Sequence, residues 1–291
     1  MTKVQLTRRG RATGAVLALA LAAPMALGAT AAIAGPVAAG FDSTTIPAND
    51  DGSYGPAVAP GFAMNFFGTT YSSFYVNNNG NITFSDNMGT YTPYGLGAGY
   101  VGQPIIAPFF ADVDTRGAGS GLTAFGTGTY AGRDAFGVSW RDVGYYGAHT
   151  DKLNTFQLIL TDRSDIGIGD FDIYFHYDTI EWETGDASGG AGGLGGVSAA
   201  AGFSNGTGLA GTYYQLPGSL VNGALLDGGP NALVAGTNTG VLGQYRFTVR
   251  NGVVDPGDPG AIPEPATWAM MIMGFGAAGT VLRRRRTLAL A

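Results

Sequence analysis

The stretch FDIYFHYDTIEW, residues 171–182, alternates: Phe171, Ile173, Phe175 and Tyr177 point one way, while Asp172 and His176 point the other. A repeat of two is the period of an extended strand, whose successive Cβ atoms project to opposite sides of a sheet. After Tyr177 the apolar positions move to Ile180 and Trp182, out of phase by one. A one-residue slip turns every later side chain over, so a bulge or bend is expected at Asp178 and Thr179.

The same alternation extends outward in both directions. In NTFQLILT, residues 154–161, Phe156, Leu158 and Leu160 share a face opposite Gln157 and Ile159. Phe136, Val138 and Trp140 alternate with Gly137 and Ser139, and Ile82 and Phe84 with Thr83 and Ser85. Asn77-Asn78-Asn79-Gly80 supplies residues tolerant of positive φ between two short apolar runs, a hairpin signal. NDDGS at residues 49–53 marks another turn, and the glycine-rich run 185–196 reads as a flexible loop. Gln244 to Val249 reads as the last strand, and the Pro/Gly-rich residues 251–262 read as a spacer. Helical periodicity is nearly absent between residues 40 and 250, so this region is expected to be one all-β domain, an antiparallel sandwich.

The two ends are different. Lys3, Arg8, Arg9 and Arg11 precede an alanine- and leucine-rich run that closes at Ala32-Ile33-Ala34, a small-x-small site, so residues 1–34 read as a cleaved signal peptide. At the other end Pro263-Glu264-Pro265 precedes an uncharged stretch, residues 266–282, with Trp268 at its start and Arg283, Arg284, Arg285 and Arg286 after it. As a helix, about 17 residues at about 1.5 Å each would reach about 25 Å, somewhat under a bilayer core of about 30 Å, so the stretch could span only barely. The arginine cluster favours the cytoplasmic side, so the middle of the chain lies outside. The prolines stop the helix from extending upstream and hold the tripeptide extended at the membrane surface.

Removing both ends changes the charge balance. Of 15 Lys+Arg, four lie in each end, leaving seven; of 21 Asp+Glu, only Glu264 is lost, leaving 20. The mature chain is therefore near −13, against −6 for the whole. Such a surface repels phosphate backbones and argues against a nucleic-acid partner. Cys is 0, which excludes disulfides, thiolate metal sites and cysteine nucleophiles.

The order Pro-Glu-Pro, Trp268-Ala269-Met270-Met271-Ile272, Gly274-Phe275-Gly276 and arginine cluster resembles the PEP-CTERM sorting signal of Gram-negative bacteria. The resemblance implies cleavage by an exosortase-type enzyme after a transient stay in the inner membrane; a permanent tail anchor is the alternative. In the middle, YVNNNGNITF, PIIAPFFADVDTR, SWRDVGYY, DKLNTFQLILTD, FHYDTIEWETGDASGG and AAAGFSNG resemble, in order and spacing, the nidogen-like (NIDO) extracellular domain. Family members often carry tryptophan where Phe110 stands. In animals the domain occurs in basement-membrane and mucin-like matrix proteins, and no catalytic activity belongs to it. The resemblance thus implies an exported, non-enzymatic matrix or adhesion protein, associated with exopolysaccharide or biofilm at the cell surface.

The residue inventory is consistent with that reading. Only His149 and His176 are present, and no Gly-x-Ser-x-Gly stands at a strand-to-helix turn: Gly202-Phe203-Ser204-Asn205-Gly206 has the spelling, but no helical periodicity follows it. Glu181 and Glu183 share a strand face if the strand continues, side by side rather than across a cleft, and are expected to be exposed acids flanking a buried Trp182. In ADVDTR, Asp112 and Asp114 would project together, a pair suited to calcium, with a salt bridge to Arg116 as the competing reading. Asp50 and Asp51 before Gly52 suggest an Asx turn, and Asp186 a turn cap. Tyr91, Tyr94, Tyr100, Tyr145 and Tyr146 are candidates for stacking on sugars or for packing. Lys152 is the lone lysine outside the signal region, suited to a salt bridge or turn. A calcium- or carbohydrate-binding surface module is the second functional expectation.

Overall fold

The computed structural model describes residues 37–257. The signal peptide, the Pro-Glu-Pro segment and the apolar stretch 266–282 lie outside them. Among the described residues no helix is long and apolar enough to cross a membrane.

The strands are β1 (Thr44–Thr45), β2 (Met64–Phe66), β3 (Thr69–Tyr71), β4 (Tyr75–Asn77), β5 (Asn81–Thr83), β6 (Ile105–Phe110), β7 (Val113–Asp114), β8 (Thr123–Tyr130), β9 (Arg133–Tyr145), β10 (His149–Asp162), β11 (Phe171–Thr179), β12 (Ala200–Ser204), β13 (Tyr213–Gln215), β14 (Gln244–Arg250) and β15 (Val253–Asp255). An eight-stranded sheet runs β1-β8-β9-β10-β11-β14-β15, with β7 beside β9. A five-stranded sheet runs β13-β12-β6-β5-β4, and β2 and β3 form a separate ribbon. Pairing between these strands is antiparallel.

The two large sheets close on one aromatic core. Phe74 meets Phe136 at 5.1 Å between ring centres, Phe109 meets Phe156 at 5.2 Å, and Phe203 meets Phe247 at 5.2 Å. Burial of this many aromatic and aliphatic side chains between two sheets is the main stabilising term of a chain without cross-links. The phase slip falls where the alternation places it. Thr155 pairs with Thr179 while Phe156 pairs with Tyr177, which leaves Asp178 as the extra residue of a bulge. Ile180 and Trp182 then enter the core, where the Trp182 indole donates to the Val143 carbonyl at 3.0 Å.

Three expectations need correction. The outer face of the large sheet is partly covered: Phe41 packs there with Ala135, Ile159 and Tyr174, and His176 is buried beside them. The Gln157 side chain fixes this N-terminal strap by bonding both backbone groups of Ala38 at 2.9 Å. Gly137 provides the space, because a Cβ there would collide with the Phe41 ring. Second, the glycine-rich run is folded rather than loose: it holds a 3-10 turn at Asp186–Ser188 and an Ala191–Leu194 bridge, and Gly193 accepts the Glu183 amide at 2.8 Å. Third, the domain does not end at residue 250. Asn251 (φ 50°) and Gly252 (φ 77°) form a tight hairpin turn that returns β15 onto β14.

Candidate functional site

The asparagine hairpin between β4 and β5 is buried, not solvated, and it organises the most polar part of the interior. Asn77, Asn78, Asn79 and Asn81 are each at most 1% exposed. Buried amides persist only when bonded, and these are. Asn78 Nδ2 donates to the Asp50 and Val113 carbonyls, both at 2.6 Å, and its own carbonyl accepts the Trp140 indole at 2.9 Å. Asn79 Oδ1 accepts the Val113 amide at 2.9 Å, and its Nδ2 donates to Asp51 Oδ1 at 2.8 Å. Gly80 (φ 71°) lies so close to the Phe109 carbonyl that no Cβ would fit. The hairpin thereby clamps the Asp50-Asp51 loop against the segment joining β6 to β7.

That segment carries Asp112. Carboxylate oxygens of Asp50, Asp51 and Asp112 lie within 4.8 Å of one another. Asp112 is 1% exposed, and neither of its oxygens has a hydrogen-bond partner; Asp50 Oδ1 is likewise buried and unpartnered. Burial, then the like charges of Asp50, Asp51, Asp114 and Asp186, pushes the Asp112 pKa up to about 7. Burial and the neighbouring acids raise Asp50 to about 6 against the opposing pull of Arg116.

Asp114 has a different environment. Its oxygens accept the Arg116 Nε and Nη2 at 2.9 and 2.7 Å, and the Arg116 and Ala148 amides at 2.9 Å. Burial alone would raise its pKa, but these bonds and the Arg116 charge outweigh it and hold it below the ordinary carboxylate value. The salt-bridged reading of ADVDTR therefore describes Asp114, while Asp112 joins Asp50 and Asp51. The sequence signal for this grouping is slight, two adjacent aspartates in a loop some sixty residues from the third. The Asx turn in that loop belongs to Asn49, whose Oδ1 accepts the Gly52 amide at 2.7 Å.

Glu181 and Glu183 do not share a face. β11 ends at Thr179, so strand alternation no longer applies. Glu181 is exposed and accepts the Leu153 amide at 2.9 Å, while Glu183 is fully buried. Glu183 accepts Ser198 Oγ at 3.0 Å, the Gly223 amide at 2.7 Å and the Leu225 amide at 2.6 Å. Of the tyrosines, Tyr145 and Tyr100 are core residues, bonded to Asp151 and the Gln103 carbonyl at 2.8 Å. Tyr91 and Tyr94 are exposed, and Tyr146 is half-buried. Lys152 pairs with Asp151 at 3.0 Å and the Gly192 carbonyl at 2.8 Å. Asp186 opens its 3-10 turn without capping it and meets His149 Nε2 at 3.0 Å.

The nidogen-like domain model matches residues 72–129 and 123–251, the interval that carries the asparagine hairpin, Asp112 and both sheets. The chain belongs to the nidogen-like family. This nidogen-like chain is 34% identical over 241 residues to alpha-tectorin of Mus musculus, covering 74% of the chain and 10% of that protein. Alpha-tectorin of Homo sapiens gives the same identity and coverage. Nidogen of Drosophila melanogaster is 29% identical over 214 residues, 64% of the chain and 14% of that protein. The nidogen-like chain thus spans about a tenth of the tectorins it matches. No solved structure matches it significantly. A second model, the PEP-CTERM protein-sorting motif, matches residues 261–286. Together the two matches mark an exported protein. Phe110, where the family often has tryptophan, is buried against Met88, Leu96 and Tyr100. Ala32, Ala34, Pro263, Glu264, Pro265, Trp268 and Arg283 to Arg286 lie outside residues 37–257.

Proposed function

We propose that the nidogen-like domain is a non-enzymatic adhesion or matrix module of a Gram-negative bacterium, delivered across the inner membrane and released at the cell surface into exopolysaccharide or biofilm. The observation that carries this reading is the union, on one chain, of a nidogen-like domain and a PEP-CTERM motif. The N-terminal signal peptide is cut after Ala34. The apolar stretch 266–282 holds the tail in the membrane until an exosortase-type enzyme cleaves near Pro263-Glu264-Pro265. Arg283 to Arg286 keep the end of the tail cytoplasmic, and Trp268 sits at the outer interface.

The interior supports a structural role. Glu181 and Glu183, the acids closest in sequence to a catalytic pair, are engaged in holding backbone amides. The net charge near −13 disfavours nucleic acid and suits a hydrated matrix. Replacing Pro263, Glu264 and Pro265 together by alanine tests the processing step. The expected result is full-length protein trapped in the membrane fraction, while wild type appears in the medium. Equal release of both forms would contradict it.

A further inference from the structure

We propose that Asp50, Asp51 and Asp112 form a binding site for a hard divalent cation of calcium's size on the nidogen-like domain. The cluster's geometry is the first support. Two ligands on opposite sides of a calcium ion, at about 2.4 Å each, lie about 4.8 Å apart, so three carboxylates mutually within 4.8 Å can face one such ion. Every ligand atom is a carboxylate oxygen, and no sulfur or imidazole is in the group, which suits a hard cation.

The second support is independent of the acids' proximity. Asp112 is 1% exposed, its two oxygens have no donor, and they belong to the group that converges with Asp50 and Asp51. A buried carboxylate without a hydrogen bond or counter-charge is strongly disfavoured, and a second and third carboxylate beside it worsen the repulsion. The cations within reach do not resolve this. Arg116 bonds Asp50 Oδ2 at 2.9 Å and Asp114, and half its side chain is in solvent. Asn79 satisfies one oxygen of Asp51, leaving Asp50 Oδ1 and both oxygens of Asp112 unmet. A bound cation supplies what these oxygens lack.

The surroundings hold the three acids in place without filling the site. Asn78 fixes the Asp50 carbonyl, Asn79 fixes the Asp51 carboxylate, and the Asp112 carbonyl accepts the Tyr146 amide at 3.0 Å. Gly185 packs on the Asp112 carboxylate, where a Cβ would collide with it, and the neighbouring Thr184 hydroxyl is also buried and unpartnered. The ion would tie the Asp50-Asp51 loop, the β6–β7 segment and the turn at Gly185 into one unit.

The test is calorimetric titration of the chelator-stripped full-length chain with calcium chloride, with melting curves in calcium and in chelator. The expected result is saturable binding of one ion per chain, with a dissociation constant of about 10⁻⁴ to 10⁻³ M as in other extracellular modules, and a higher melting temperature in calcium. Asp112→Asn and Asp51→Asn should each weaken binding at least about tenfold, while Asp165→Asn, at an exposed pair with Arg133 and Arg163, leaves it unchanged. In chelator, Asp112→Asn should melt no lower than wild type, because it removes a charge that the protein itself does not compensate. Absence of saturable binding in wild type, unchanged affinity in Asp112→Asn, or a lower melting temperature of that variant in chelator would each overturn the site.

Discussion

His176 shows how a single side chain departs from what alternation suggests. It occupies the outer face of β11, yet the strap carrying Phe41 helps bury that face. Tyr130, Tyr174 and Gln244 surround it, its Nδ1 has no partner, and desolvation lowers its pKa from 6.5 to about 4. Below the unfolded value the unfolded chain takes up a proton that the folded chain refuses until about pH 4. Stability linked to this group is therefore complete above about pH 6.5 and falls as the pH drops toward 4, by up to about 3 kcal/mol. Denaturant titrations of wild type and His176→Gln across that window should show a steeper loss in wild type; parallel curves would contradict the buried neutral imidazole. Alternation identifies the face of a strand but not what covers it, so His176 and Gln157 were legible as outward-facing and not as buried. Glu183 was misread for a related reason: period two holds only while the strand lasts.

At the scale of elements, the central strands were legible, and so was the bulge, because a slip in the apolar phase leaves a mark in the sequence. The asparagine hairpin was legible as a turn, but its burial was not, since Asn-Asn-Asn-Gly has the composition of an exposed loop. β15 was missed because Asn251-Gly252, a strong hairpin signal, stands in a Pro/Gly-rich context that reads as spacer. The β14–β15 hairpin yields a direct prediction. Val254 is buried under the sheet, and β15 covers the edge of β14. Ending the domain at Arg250 instead of Gly257 should lower its unfolding free energy by about 2 kcal/mol and expose an edge strand prone to self-association. Urea midpoints and light scattering of the two forms check this; identical midpoints would show that residues 251–257 are only a linker.

At the scale of the molecule, an aromatic sandwich with 20 acids and seven basic residues across residues 35–262 is held by burial rather than by disulfides, and its net negative charge keeps copies apart. The grouping of Asp50 and Asp51 with Asp112 belongs to this scale too, since only the packing of the two sheets through the buried hairpin brings the segments together. The C-terminal sorting motif was legible because charge, apolar length and proline placement act locally and need no fold. The most direct test is the intact mass of the protein recovered from the medium. The account predicts a species that begins at Gly35, after the Ala32-Ile33-Ala34 site, and lacks Arg283 to Arg286. A full-length polypeptide that retains those arginines and stays in the inner membrane would contradict it.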